Sequence, residues 1–176
     1  MPLPLGHAAI GFTAYEFISR RNSVFNDWTL AVFVLILANL PDIDVFVGLL
    51  IMGNANVYHR GPTHSLAFAF VAGLLASRAW KVWSHIPRVT FWGCFFIILS
   101  HVLADLFLTR SPVSLFWPFE VSWGMGQRGW GDVFNTVFLE AFSDTIIVVM
   151  SIGLMMLHRL VGWHSDALFE LSLIHI

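Results

Sequence analysis

The chain has 176 residues, 57% hydrophobic and 11% charged, with a net charge of −2 and a mean hydropathy of +0.76. A soluble domain this small keeps too much surface exposed to be covered by so few charges, so lipid must be the solvent for much of it. The absence of a basic stripe argues against nucleic-acid binding, and a single cysteine, Cys94, excludes an intrachain disulfide and argues against a thiolate metal site.

The opening MPLPLGHAAIG lacks a basic n-region and a cleavage site after an apolar stretch, so it does not read as a removed signal peptide. Residues 5 to 18 form a modest apolar helix carrying His7, and Trp28 to Leu40 is strongly apolar up to a break at Pro41. The apolar piece from Val45 to Met52 is too short to span alone, and Gly53 to Thr63 is a polar loop. His64 to Val82 and Val89 to Leu108 each approach the ~20 residues that cross a hydrocarbon core. Thr109 to Gly131 carries Trp117, Trp123 and Trp130, which suit the interfacial zone. A last span covers about residues 135 to 161, and the chain from about 165 is a poorly defined tail. The expected fold class is all-α: an integral membrane helical bundle with four to five membrane-embedded helices, forming one domain over residues 1–176.

Sidedness follows if each segment crosses once and Val45–Met52 does not cross. Arg20, Arg21, Arg78, Lys81, Arg88 and Arg159 then fall opposite the N-terminal side, while Arg60, Arg110 and Arg128 fall on it. Six basic residues against three make the N-terminal side the outer face by the positive-inside rule. That arrangement gathers His7, Asp42, Asp44, His59, His64, His101, Asp105 and Glu140 toward the outer face. A single kinked span over 28–52 would instead scatter them.

The sharpest local signal is Tyr58-His59-Arg60-Gly61-Pro62-Thr63-His64-Ser65. A Gly-Pro turn can aim two imidazoles at one point, and histidine is the commonest metal ligand. Arg60 beside them is a fixed cation with a fork suited to phosphate. His101 and Asp105 lie four apart on one helical face, where they can share a metal or form a His–carboxylate pair. Alone, that pair fits a hydrogen-bonded polar patch equally well. Asp42 and Asp44 after the Pro41 break would alone read as turn residues; beside two histidine motifs they read as ligands. His7 with Gly11 near the same interface completes the set. Glu140 could close it, with Asp132 and Asp144 as competitors, whereas His85, His158 and His164 fall on the other side. The donors exceed the three protein ligands of a catalytic zinc, so one or two divalent ions fit, zinc first, with manganese or iron as alternatives.

The order His7-x-x-x-Gly11, Pro41-Asp42-Ile43-Asp44, His59-Arg60-Gly61-x-Thr63-His64-Ser65, His101-x-x-Ala104-Asp105 and Trp117-Pro118 resembles the YdjM-like membrane-bound metal-dependent hydrolases over roughly residues 5 to 120. The resemblance implies hydrolase activity, a divalent metal and a bacterial or archaeal cytoplasmic membrane. The His-x-x-x-Asp spacing is also similar to that of the helical zinc-dependent phospholipase C and P1 nuclease group. Metal-assisted hydrolysis is the expected chemistry, with Asp42, Asp44, His59, His64, His101 and Asp105 as ligands and His7 as an outer ligand or proton acceptor. Arg60 would hold a phosphate-like group and a carboxylate would act as general base, Asp44 being counted both as ligand and as candidate for that role. An interfacial site favours an amphiphilic phosphate-containing substrate drawn from membrane lipid. The alternative is a metal-binding protein without catalysis, or an ion or proton relay.

Overall fold

The structure is a computed structural model that describes residues 4–19, 23–54, 59–108, 112–119 and 144–162. Its described residues form helices, short 3₁₀ turns and connecting loops, with no strand among them. Helix α1 spans Pro4–Ile18. Helix α2, Trp28–Ala38, starts at Asp27, whose carboxylate accepts from the Thr29 and Leu30 amides and so satisfies two of the orphan donors of a first turn. Pro41 ends that run. A 3₁₀ turn over Leu40–Asp42 leads into α3, Ile43–Met52, which stops at Gly53 in the left-handed conformation, φ 65°. Helix α4, Leu66–Ala76, is capped by the Ser65 hydroxyl, which accepts from the Phe68 amide. Helix α5 is Phe91–Leu108 and α6 is Asp144–Gly162.

Helix α5 is the centre of the bundle, with α1, α2 and α4 packed against it and α1 packed on α2. Cys94, Ile97 and Ile98 of α5 are fully buried beside Val34, Ala38 and Ala69, so Cys94 is a packing residue. Two glycines set how closely the helices approach. A Cβ on Gly11 would lie 2.5 Å from the Ala38 Cβ, and one on Gly73 would lie 3.0 Å from the Phe95 backbone. At Gly11 any side chain would force α1 and α2 apart, and at Gly73 a Cβ would need Phe95 of α5 to give by a few tenths of an ångström.

Among the described residues, two helices, α5 and α6, are long and apolar enough to cross a membrane, and a third span is available if α2 and α3, bent by 54° at their junction, act as one. Two to three membrane-crossing helices are thus shown among the described residues, and the expected four to five membrane-embedded helices are not. Helix α1 has 15 residues and α4 has 11. The apolar run from His64 to Val82 is not one helix, because α4 ends at Ala76 and Ala79–Lys81 forms a 3₁₀ turn. Arg78 turns its guanidinium back onto the Leu74 carbonyl at that end. The outward faces of α3 and α6, with Leu50, Ile51, Val149 and Leu157, are apolar and exposed, as lipid-facing surfaces must be.

The first turn of α1, the end of α2, the loop before α4 and the second half of α5 lie together at one end of the bundle, through contacts among His7, Ala38, His64, His101 and Asp105. At the other end, Arg159 of α6 bonds Glu16 of α1 at 2.9 Å and also donates to the Ser23 hydroxyl.

Candidate metal centre

Asp44, in the first turn of α3, organises the His59–Ser65 loop. One carboxylate oxygen lies 3.1 Å from His59 Nδ1. The other accepts from the Arg60 amide at 3.1 Å and the Thr63 hydroxyl at 2.6 Å, and lies 3.2 Å from His64 Nδ1. These four contacts come close to filling the acceptor capacity of a carboxylate. Arg60 is held at φ 66°, a left-handed conformation that costs a non-glycine residue energy and persists where the surroundings fix it. Its carbonyl accepts from the Ser114 amide at 3.2 Å, and the Leu66 amide donates to Leu115 at 3.0 Å, so the 112–119 segment braces the loop from outside.

His64 and His101 face each other through their Nε2 atoms, 3.3 Å apart. His101 Nδ1 donates to the Ala38 carbonyl at 2.7 Å, which fixes its tautomer and leaves a lone pair on Nε2. His64 Nδ1, turned to Asp44, has the same relation to a carboxylate. Histidines that bind metals hold the second ring nitrogen in this manner. Asp42 Oδ1 lies 3.4 Å from His101 Nε2 and 3.6 Å from His64 Nε2. Three potential ligand atoms thus converge in a buried space, and once His64 is deprotonated their lone pairs repel unless a cation lies between them. Metal–nitrogen bonds of 2.0–2.1 Å at tetrahedral angles place neighbouring ligand atoms ~3.3–3.4 Å apart, so the three observed separations fit a shared ion.

Asp105 and His7 flank this triad. Asp105 Oδ2 lies 3.4 Å from His64 Nε2 and 3.2 Å from Arg60 Nε. His7 stacks on His101, ring centroids 3.7 Å apart, with Nε2 3.5 Å from Asp105 Oδ1. Neither His7 Nδ1, His59 Nε2 nor Arg60 Nη1 has a hydrogen-bond partner although each is buried. Among the described residues, three overlapping groups could hold a metal ion: His7, His101 and Asp105; Asp42, His64 and His101; and Asp44, His59 and His64. With neutral imidazoles, the three carboxylates outnumber the Arg60 guanidinium by two negative charges, a burden that a divalent cation would neutralise. Among the described residues of the cluster, Asp42 is the most open, 21% exposed, with His59 next at 9%.

The site therefore unites His7, Asp42, Asp44, His59, Arg60, His64, His101 and Asp105. Glu140 and Asp132 lie outside the described residues, and Asp144 is buried at the start of α6, in none of the three groups. Arg60 turns its guanidinium inward to Asp105 rather than out to solvent. The sequence reading did not single out the Ala38 carbonyl or the Ser114–Leu115 brace. Both act through backbone atoms, which leave no mark in residue identity. Thr63 was visible only as part of the loop motif. His158 stacks on Phe17, ring centroids 4.5 Å apart, away from the cluster.

The model of the YdjM inner membrane protein family matches residues 1–173 of the chain. The chain is also 39% identical over 87 residues to the inner membrane protein YbcI of Escherichia coli (strain K12), a match covering 48% of this chain and 50% of YbcI, so it spans about half the length of that curated relative. No solved structure matches it. With a family match over nearly its whole length, and an inner-membrane relative that fits its apolar helices, the chain belongs to the YdjM inner membrane protein family.

Proposed function

We propose that this protein is a membrane-bound metal-dependent hydrolase acting on a phosphoester or another lipid-like substrate. The observation that carries the reading is the buried convergence of His64 Nε2, His101 Nε2 and Asp42 Oδ1 beside a buried guanidinium whose Nη1 has no hydrogen-bond partner. Asp42, His64 and His101 would hold a divalent ion, zinc first by donor chemistry with manganese or iron as alternatives, and Asp105 and His59 are the further donors within reach. A bound ion would supply Lewis acidity and a nucleophilic water at neutral pH.

The other roles belong to the chain itself. Arg60 Nη1 donates to a substrate phosphate oxygen while its Nε stays on Asp105. His7 accepts a proton at Nδ1, and the Asp105 carboxylate facing Nε2 stabilises the cation that results. Asp44, the first candidate for general base on sequence grounds, reads here as the residue that positions the loop, because its oxygens are already engaged. The His-x-x-x-Asp spacing shared with the zinc-dependent phospholipase C and P1 nuclease group supports a phosphoester as the scissile bond. We read α1 and α4 as embedded but short helices, and the cluster as facing away from the side richer in Lys and Arg.

The test is elemental mass spectrometry on detergent-purified protein, with His64→Ala and His101→Ala beside wild type. Stoichiometric zinc, manganese or iron in wild type, lost in both variants, is expected, with hydrolysis of phosphoester or phospholipid panels following the metal. A metal-free wild type after reconstitution would overturn the reading. A metal-loaded protein inert on every panel would favour the non-catalytic alternative.

A further inference from the structure

The connection between α4 and α5, residues 77–90, lies at the end of the bundle remote from the His/Asp cluster, because α4 leaves the cluster at Ser65 and α5 returns to it at His101. Helix α5 has 18 residues, ~27 Å at 1.5 Å per residue, which nearly matches a ~30 Å hydrocarbon core. A span of that length beginning at Phe91 leaves the residues just before it in a headgroup layer.

Arg78, Lys81 and Arg88 are the charged residues of this connection, and no Asp or Glu occurs anywhere from 45 to 104. All three are exposed, and among the described residues none of them meets a carboxylate. The chain also draws them together. The 3₁₀ turn Ala79–Lys81, closed by the Lys81 amide on the Arg78 carbonyl at 2.9 Å, sets Arg78 and Lys81 one above the other, since side chains three apart eclipse in such a turn. Arg88 reaches the same turn: its guanidinium carbon lies 4.1 Å from the centre of the Trp80 ring, and Lys81 Nζ lies 5.9 Å from it. One indole thus holds two cations, and a guanidinium stacked by its face keeps its N–H edge for a phosphate. Like charges gathered in this way favour an anion among them.

Beside the cations stand Val82, 93% exposed, and Trp83, 64% exposed. A free phosphate ester would answer the charges and leave these two side chains bare in water. A membrane amphiphile answers both, with its phosphate on the cations and its acyl chains around the apolar pair. Its headgroup must be anionic overall, since a zwitterionic one brings its own cation to the same place. We propose that the α4–α5 connection binds the headgroup of an anionic phospholipid, with Arg78, Lys81 and Arg88 around the phosphate and Val82 and Trp83 among the acyl chains. This site is separate from the His/Asp cluster and does not rest on the hydrolase reading. Basic and aromatic residues are general at membrane interfaces; the clustering of uncompensated cations adds a preference for charge.

The whole protein in detergent, mixed with equal amounts of phosphatidylglycerol and phosphatidylcholine of the same acyl chains, is read by native mass spectrometry for the lipid it retains. Retention about tenfold or more in favour of phosphatidylglycerol is expected, and Arg88→Gln should cut that preference roughly fivefold, the usual effect of one Lys or Arg at an anionic surface. Lys81→Gln makes the same test if Arg88→Gln does not fold, and the combined Arg78→Gln, Lys81→Gln and Arg88→Gln variant should show no preference. His101→Ala, which dismantles the cluster, should keep it, as should Arg159→Gln, which removes a charge from the same end of the bundle. Equal retention of the two lipids by wild type, a preference that survives the combined variant, or one lost equally in Arg159→Gln would overturn the inference. So would displacement of the lipid by millimolar glycerol 3-phosphate, which would mark a site for a free phosphate ester. A preference abolished by His101→Ala would place the lipid at the cluster, favouring the hydrolase reading and overturning this one. A preference kept by His101→Ala and lost with the loop cations, in a protein that hydrolyses nothing, would sink the hydrolase reading and leave this site.

Discussion

At the scale of single residues, two aspartates two positions apart have different work. Asp42 Oδ1 faces both Nε2 atoms, whereas Asp44 is occupied by the loop. Asp42→Asn should therefore remove the stoichiometric ion. Asp44→Asn, which turns an acceptor into a donor amid donors, should weaken metal binding ~10–100-fold, the usual cost of losing an outer-shell partner. Competition with a metal-buffered indicator measures both, and a reversal of the two effects would reject this division. The motif around His59 and His64 was legible because residue types and spacing carry it. The partition between the aspartates was not, since Asp-x-Asp looks the same whether it binds a metal or a loop.

His64 adds a pH dependence. Burial disfavours its charged form, but the Asp105, Asp42 and Asp44 carboxylates outweigh burial and hold its pKa up at about 10 in the metal-free protein. The sign follows directly. Pairing of this cation stabilises the metal-free fold fully below the unfolded value of 6.5 and is lost as pH rises through about 10. A metal must displace the same proton, so apparent affinity should fall roughly tenfold per unit as pH drops from 8 to 6. Isothermal titration in buffers of different ionisation heat reads the released proton. An affinity flat across that range would show that His64 is not a ligand.

Among the elements, helix contacts set the site as much as its ligands do. Gly11 brings α1 so near α2 that an added Cβ would sit 2.5 Å from that of Ala38, the residue whose carbonyl accepts from His101. Gly11→Ala must push the two helices apart, costing ~1–3 kcal/mol of overpacking and loosening the His101 anchor. A lower unfolding temperature in detergent together with reduced metal loading is expected; full loading would mean that Ala38 follows α1 without strain. The positions of α1, α2 and α5 were legible from their apolar runs and from Pro41. The break in the His64–Val82 run was not, because an apolar sum does not register that the backbone turns at Ser77–Arg78. The 54° bend between α2 and α3 does not scatter the site, since Asp42 and Asp44 sit at the bend itself.

For the whole molecule, the two ends of the bundle separate the His/Asp cluster from the contact that ties α6 to α1. Glu16 is 4% exposed, and its Oε1 accepts from the Val24 amide at 2.8 Å, the Ser23 hydroxyl at 3.0 Å and Arg159 Nη2 at 2.9 Å. This ties α6 to α1 across 143 positions of sequence. Nothing in the chain order pairs those two residues; only the alternation of helix directions, which the positive-inside count reflected, puts them on one side. Glu16 is nine positions from His7 on the same helix, ~14 Å along its axis. Arg159→Ala leaves Glu16 its two local donors, and Arg159 is itself 48% exposed, so the loss should be modest, about 1 kcal/mol or less. It should appear as easier proteolysis or faster hydrogen exchange in α6, with metal content unchanged. Metal loss in this variant would show instead that α6 helps to close the cluster, coupling the anchored end to the one that holds the His/Asp groups.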